Sequence, residues 1–87
     1  QLTNFAASLR GDKQVQLRWD VAAETNTKGY EIERSFDGSN FTTIGFVAAS
    51  QKATYFFSDA MQKAKQFYRL KMIDNDGTYA YSKTAIV

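Results

Sequence analysis

Apolar and charged positions alternate strictly between Gly29 and Ser35, with Tyr30 and Ile32 set against Glu31 and Glu33. A period of two puts one side chain set on each face of a strand, so this segment predicts a strand with one buried and one wet face. The same pattern fills Gln14–Val21, where Val15, Leu17 and Trp19 alternate with Gln16, Arg18 and Asp20. Five further segments complete the series: Leu2–Leu9, Phe41–Ala48, Ala53–Ser58, Gln66–Asp74 and Thr78–Val87. Turn residues separate them at Arg10-Gly11-Asp12-Lys13, at Phe36-Asp37-Gly38-Ser39-Asn40 and at Asn75-Asp76-Gly77, where glycine supplies positive φ. Ala22–Lys28 reads as a polar loop and Ser50-Gln51-Lys52 as a connector. Asp59–Lys65 reads as a polar crossover holding one helical turn, capped by Ser58 or Asp59. No segment sustains a helical period over ten residues. The expected fold is all-β: a seven-stranded antiparallel sandwich in a single domain, residues 1–87.

The inward positions of these strands name the core: Leu2, Phe5, Val15, Leu17, Trp19, Tyr30, Ile32, Phe41, Ile44, Val47, Phe56, Tyr68, Leu70 and Met72. Trp19, Tyr30, Ile32, Tyr68 and Leu70 are its structural centre. Truncating such a residue to alanine costs about 2–5 kcal/mol, against a total stability of about 5–15 kcal/mol. The Trp19 indole N–H calls for a partner that the sequence does not identify.

Composition removes several chemistries. The chain has no cysteine and no histidine, which excludes disulfides, thiolate metal sites, cysteine nucleophiles and the commonest general base. Its net charge of +2 comes from eleven basic residues scattered among nine acidic ones, a mixed surface and not a nucleic-acid footprint. No apolar run reaches the length of a membrane helix, so no membrane insertion is expected. Proline is absent, so exposed strand edges must be protected by charge or bulges. A chain starting at Gln1 reads as a fragment of a longer protein.

Leu17-Arg18-Trp19 and Phe67-Tyr68-Arg69-Leu70-Lys71 resemble the tryptophan-bearing second strand and the sixth strand of fibronectin type III domains, which are immunoglobulin-like sandwiches. The wider set resembles the fibronectin III-like modules of large secreted bacterial proteins. It comprises Trp19, Glu24-Thr25-Asn26, Gly29 through Ser35, Asp37-Gly38, Phe41, Ile44-Gly45, Phe67 through Leu70, Asp74, Asp76-Gly77 and Tyr81-Ser82. Such modules lie beside hydrolase domains or C-terminal secretion-sorting domains. The resemblance covers about Leu2 to Val87. It implies a secreted or cell-surface location and an accessory role, with neighbouring domains of the same polypeptide as partners. The chain departs from the family in lacking prolines, and either Gln66 or Tyr68 occupies the tyrosine-corner position.

Each chemistry-bearing candidate has a plain structural competitor. Glu31 and Glu33 lie about 7 Å apart on one strand face, a separation that suits an inverting glycosidase, but ion pairing with Arg69 and Lys71 explains them better. Glu24 and Asn26 either contact a ligand at the sandwich tip or pin their loop, Glu24 by accepting from backbone N–H groups or from Arg34 or Arg69. Asp74 and Asp76 are the metal candidates. They resemble part of a calcium loop, yet calcium wants six to eight oxygens and Asn-Asp-Gly is ordinary hairpin chemistry. Arg10-Gly11-Asp12 spells an integrin-type tripeptide, but Gly-Asp is equally a turn. Tyr79 and Tyr81, with Phe67 on the same outward face, form an aromatic row able to stack on sugar rings; packing against a neighbouring domain competes.

Together these readings predict a non-catalytic spacer or interaction module that positions a neighbouring catalytic or adhesive domain. A carbohydrate-binding module using Tyr79, Tyr81 and Phe67 on a polysaccharide is the alternative. No cofactor is expected, calcium being the sole candidate.

Overall fold

The computed structural model describes residues 2–11 and 13–87. Eight strands form among them: β1 (Leu2–Arg10), β2 (Gln14–Val21), β3 (Thr27–Ser35), β4 (Thr42–Ala48), β5 (Thr54–Ala60), β6 (Phe67–Asp74), β7 (Tyr79–Tyr81) and β8 (Ala85–Ile86). All pairings are antiparallel. One sheet has the order β1-β2-β5; the other runs β4-β3-β6-β7, with β8 also on β6. The two sheets share one core, which makes the molecule a β-sandwich.

Two expectations about the elements need correction. Among the described residues no helical turn forms in the crossover after β5. The Gln66 side-chain oxygen accepts the N–H groups of Gln62 and Lys63, at 2.6 and 3.0 Å, the service a helix cap would have rendered. The last strand is not continuous either. Ser82 Oγ accepts the Leu70 N–H at 2.9 Å, so a side chain takes the ladder position of a backbone carbonyl and splits the strand into β7 and β8.

Trp19, Tyr68, Phe5, Leu17, Ile32, Leu70 and Val15 are fully buried, with Tyr30 and Tyr55 nearly so. Trp19 lies between the sheets, stacked on Tyr55 at 5.6 Å and tilted against Tyr30 at 5.5 Å. Its N–H meets no acceptor among the described residues. Leu2, Ile44, Val47 and Met72 line the core margin. Phe56 is not a core residue: it is 54% exposed. The register Trp19↔Tyr55 and Leu17↔Phe57 turns Tyr55 and Phe57 inward and leaves Phe56 outside, opposite Arg18. A slip of one residue exchanges the faces of a strand, and three consecutive aromatics conceal which phase applies. Phe41 also leaves the core. Its ring lies 4.0 Å from the Arg69 guanidinium carbon on the outer face of the larger sheet.

Close approaches fix how the layers meet. A Cβ on Gly45 of β4 would stand 2.6 Å from the Phe57 ring of β5, so the glycine is what lets Phe57 seat against the opposite sheet. A Cβ on Gly29 would stand 2.6 Å from the Val47 carbonyl oxygen. The long axis measures 37 Å. Leu2 pairs with Val21 at one end of the sandwich, whereas Val87 exchanges backbone hydrogen bonds with Gln66 at the other.

Candidate functional site

The outer face of the larger sheet carries most of the candidates. Register places Glu33 opposite Arg69 and Glu31 opposite Lys71. Arg69 Nε donates to Glu33 Oε1 at 2.7 Å, and Glu33 is only 7% exposed. Glu33 is thus tied in an ion pair with Arg69, whereas Glu31 and Lys71 share a register position with no ion pair between them among the described residues. The Arg69 guanidinium is itself stacked between Phe41 and Tyr81, 4.0 Å from each ring centre. Lys71 Nζ lies 4.1 Å over Tyr79. Tyr79 and Tyr81 meet edge to face at 5.6 Å and 73°. They are 57% and 44% exposed, but perpendicular rings, each with a cation over it, present no flat platform. Phe67 stands farther along β6, beneath Lys65, where it packs towards Gly38.

Both ends of the sandwich are closed by carboxylates. At the end where β3 begins, Glu24 Oε2 accepts the hydroxyls of Tyr30 and Tyr55 at 2.5 and 2.6 Å, and Oε1 accepts the Gln51 N–H at 2.7 Å. Burial raises the Glu24 carboxyl pKa, but these three donors outweigh it and hold the group below its ordinary value. Glu24 is therefore a loop pin with phenolic partners. Neither Arg34 nor Arg69 reaches it, since both are engaged elsewhere. Asn26 has φ 58° and its carbonyl accepts from Asn75, which ties the same loop to the β6–β7 hairpin. At the opposite end Arg34 binds both oxygens of Asp59 at 2.9 and 3.0 Å, across the two sheets. Tyr68 donates to Asp59 at 2.8 Å and accepts from Gln66 at 2.5 Å. The tyrosine-corner role is thus divided: Tyr68 bridges the sheets and Gln66 holds the crossover. The sequence singled out Gln66 only as the alternative to Tyr68 at the corner; its burial and its hold on the crossover N–H groups had no signal, because an isolated glutamine before a strand normally faces water.

The hairpin acids have local duties. Asp76 accepts the Thr78 N–H and hydroxyl at 3.0 and 2.7 Å. These bonds hold its carboxyl below the usual range. Asp74 N–H donates to the Thr78 carbonyl, closing the turn around Gly77 at φ 92°. Asp37 collects the N–H groups of Ser39 and Asn40, both at 2.8 Å, and is depressed by them. Among the described residues no group of three or more acidic side chains converges as metal ligands. Arg10 and Gly11 are exposed at the β1–β2 turn; Asp12 lies outside the described residues.

A cavity of about 250 Å³ opens where β1 and β7 part, at the end occupied by Leu2. Leu2, Tyr30, Met72 and Ala80 form its apolar floor, and Thr27, Asp74, Thr78 and Tyr79 its rim. Sequence reading missed it, because it needs a junction between strands far apart in the chain.

No protein-family model and no curated protein matches the chain. Solved structures do. Two structures of the pectate lyase Pel3 from Pectobacterium carotovorum superpose with TM-scores of 0.72 and 0.74 at 21% and 18% identity, each over 95% of this chain and 25% of the lyase chain. A β-1,2-glucanase from Parabacteroides distasonis superposes with a TM-score of 0.66 at 17% identity, over all of this chain and 13% of that enzyme. The chain therefore shares its fold with a quarter or less of these proteins. Among the described residues no helix is long and apolar enough to cross a membrane.

Proposed function

We propose that this is a non-catalytic, fibronectin III-like accessory module of a secreted or cell-surface protein, which holds a neighbouring catalytic or adhesive domain at a set distance. One observation carries this reading: 95% or more of the chain superposes on a minor part of two much larger carbohydrate-active enzymes. The order β1-β2-β5 facing β4-β3-β6-β7 supports the fibronectin III-like assignment. The candidate carboxylates support a non-catalytic role, since Glu33, Glu24 and Asp59 are all committed to structural bonds. The spacing role rests on the shape. The described chain enters at one end of a 37 Å axis and leaves at the other. Carboxylate pins at both ends stiffen it between.

Fusing a fluorescent reporter to each terminus tests the spacing. Energy transfer should report one narrow separation set by the 37 Å axis, insensitive to salt. A broad, short distribution would refute a rigid spacer. Turnover of pectate or β-1,2-glucan by the isolated domain would refute the non-catalytic reading.

A further inference from the structure

We infer that the cavity between β1 and β7 binds one neutral, hydroxyl-rich sugar ring at the end of a glycan chain, independently of the positioning role. Binding sites are concave and mostly apolar with a few convergent polar groups, and this cavity has that composition. Its apolar floor of Leu2, Met72 and Ala80 suits the C–H face of a pyranose. Its rim offers the Asp74 carboxylate and the hydroxyls of Thr27 and Thr78. Among the described residues the Asp74 side chain is committed to the protein only through a long contact of 3.4 Å with Thr78. A carboxylate with spare acceptor sites takes hydroxyl donors well, because hydrogen bonds to ionised groups are the stronger kind.

Size and charge narrow the ligand. About 250 Å³ admits a single ring and not a chain laid lengthwise. Among the described residues no lysine or arginine lines the cavity, and Asp76 adds a second negative charge on the adjoining hairpin, so uronates and phosphates are repelled. The Tyr79 ring turns to the outer face, against Lys71 and the edge of Tyr81, so Tyr79 borders the cavity without presenting its ring to it. Tyr81 and Phe67 lie outside the cavity, which separates this site from an aromatic row along the sheet.

The test is an amide-resolved NMR titration of the domain with cellobiose and with a β-1,2-linked glucose disaccharide, using digalacturonate as the anionic probe. Shifts should concentrate at Thr27, Asp74, Thr78 and Tyr79 with the neutral sugars. Asp74→Asn should weaken binding about tenfold, the change equivalent to 1.4 kcal/mol, whereas Tyr79→Ala, which removes a ring facing away from the cavity, should change it by no more than about twofold. Ala80→Leu, which fills the cavity without removing a polar group, should abolish binding. Tyr81→Ala should leave affinity within about twofold, a difference below 0.5 kcal/mol. Melting curves of each variant confirm folding. Absence of shifts with the neutral sugars, equal or tighter binding of digalacturonate, or losses in Tyr79→Ala and Tyr81→Ala as large as that in Asp74→Asn would each overturn the assignment. None of these outcomes would touch the spacer reading, which the reporter separation decides.

Discussion

Tyr30 of β3 donates its hydroxyl to Glu24 at 2.5 Å, and the same carboxylate oxygen receives Tyr55 of β5 at 2.6 Å. One loop acid therefore joins the two sheets directly above Trp19, whose ring touches both tyrosines. At the far end Arg34 of β3 and Tyr68 of β6 meet Asp59 of β5. The sandwich is oily in the middle and bolted at each end, an arrangement that resists shear between layers.

Replacing Glu24 with alanine should be costly although the residue is in a loop. It strands two phenolic hydroxyls and the Gln51 N–H, and an unsatisfied buried donor costs about 1–3 kcal/mol. We expect a loss of about 2–3 kcal/mol by urea unfolding, with a drop in melting temperature of about 4–8 °C for each kcal/mol. Tyr55→Phe should lose less, because the carboxylate keeps its other donors. An unchanged midpoint for Glu24→Ala would show that the loop is held by something else.

Stability should fall at both extremes of pH. The Glu24 carboxyl is depressed in the folded state, so the unfolded chain binds the proton more readily. Its contribution is full above the ordinary glutamate range near pH 4.3 and lost as pH falls further. Asp37, Asp20 and Asp76 are depressed too, so Glu24→Gln should flatten the acid limb without removing it. Burial raises the phenols of Tyr30 and Tyr68, and their bonds to Glu24 and Asp59 raise them further. Their contribution is whole below about pH 10 and lost above it. Phenolate absorbance from these two should appear only together with the change in Trp19 fluorescence that marks unfolding. Ionisation of either in a still-folded chain would contradict this.

Gly29→Ala should destabilise more than Gly45→Ala. Both added methyl groups would collide with an aromatic ring, Phe46 at Gly29 and Phe57 at Gly45, and the Gly29 methyl would also stand 2.6 Å from the Val47 carbonyl oxygen. At Gly45 the obstacle is the outer end of the Phe57 ring, which can tilt. At Gly29 it includes the Val47 backbone oxygen, which cannot move without disturbing the β3–β4 ladder. Overpacking costs about 1–3 kcal/mol, and the Gly29 variant should sit at the upper end of that range by denaturant midpoint. The reverse order would mean that β4, an edge strand, yields more easily than the aromatic.

Period-two segments made most of this fold legible in the chain. Val15, Leu17 and Trp19, and Tyr30 with Ile32, fall where alternation puts them, because each apolar residue has a polar neighbour to fix the phase. Phe56 was misread where that contrast vanishes, in the run Tyr55-Phe56-Phe57. The split at Ser82 and the missing helical turn at Gln66 were invisible for another reason. In both, a side chain takes over a backbone hydrogen bond, a choice settled by the register of distant strands. The cavity between β1 and β7 escaped likewise, since its walls come from four separate stretches of the chain. Glu24 was recognised as a pin, but its tyrosine partners belong to opposite sheets and only the packed structure names them.

The outer face allows a sharper experiment on Glu33 and Arg69. Arg69 fills three contacts at once: the Glu33 carboxylate and the rings of Phe41 and Tyr81. Arg69→Lys keeps the charge but loses the plane that both rings stack on, which should cost about 1 kcal/mol. Arg69→Ala should cost more, about 2–3 kcal/mol, since it leaves Glu33, 7% exposed, with a carboxylate and no cation. The greater part of that penalty is the stranded charge and not the lost attraction. Adding Glu33→Gln to Arg69→Ala should therefore restore stability, making the double variant more stable than Arg69→Ala alone. Urea denaturation of the wild type, both single variants and the pair gives the coupling energy directly. A double variant less stable than Arg69→Ala would mean that Glu33 finds water when Arg69 is gone, and that the ring contacts carry the network.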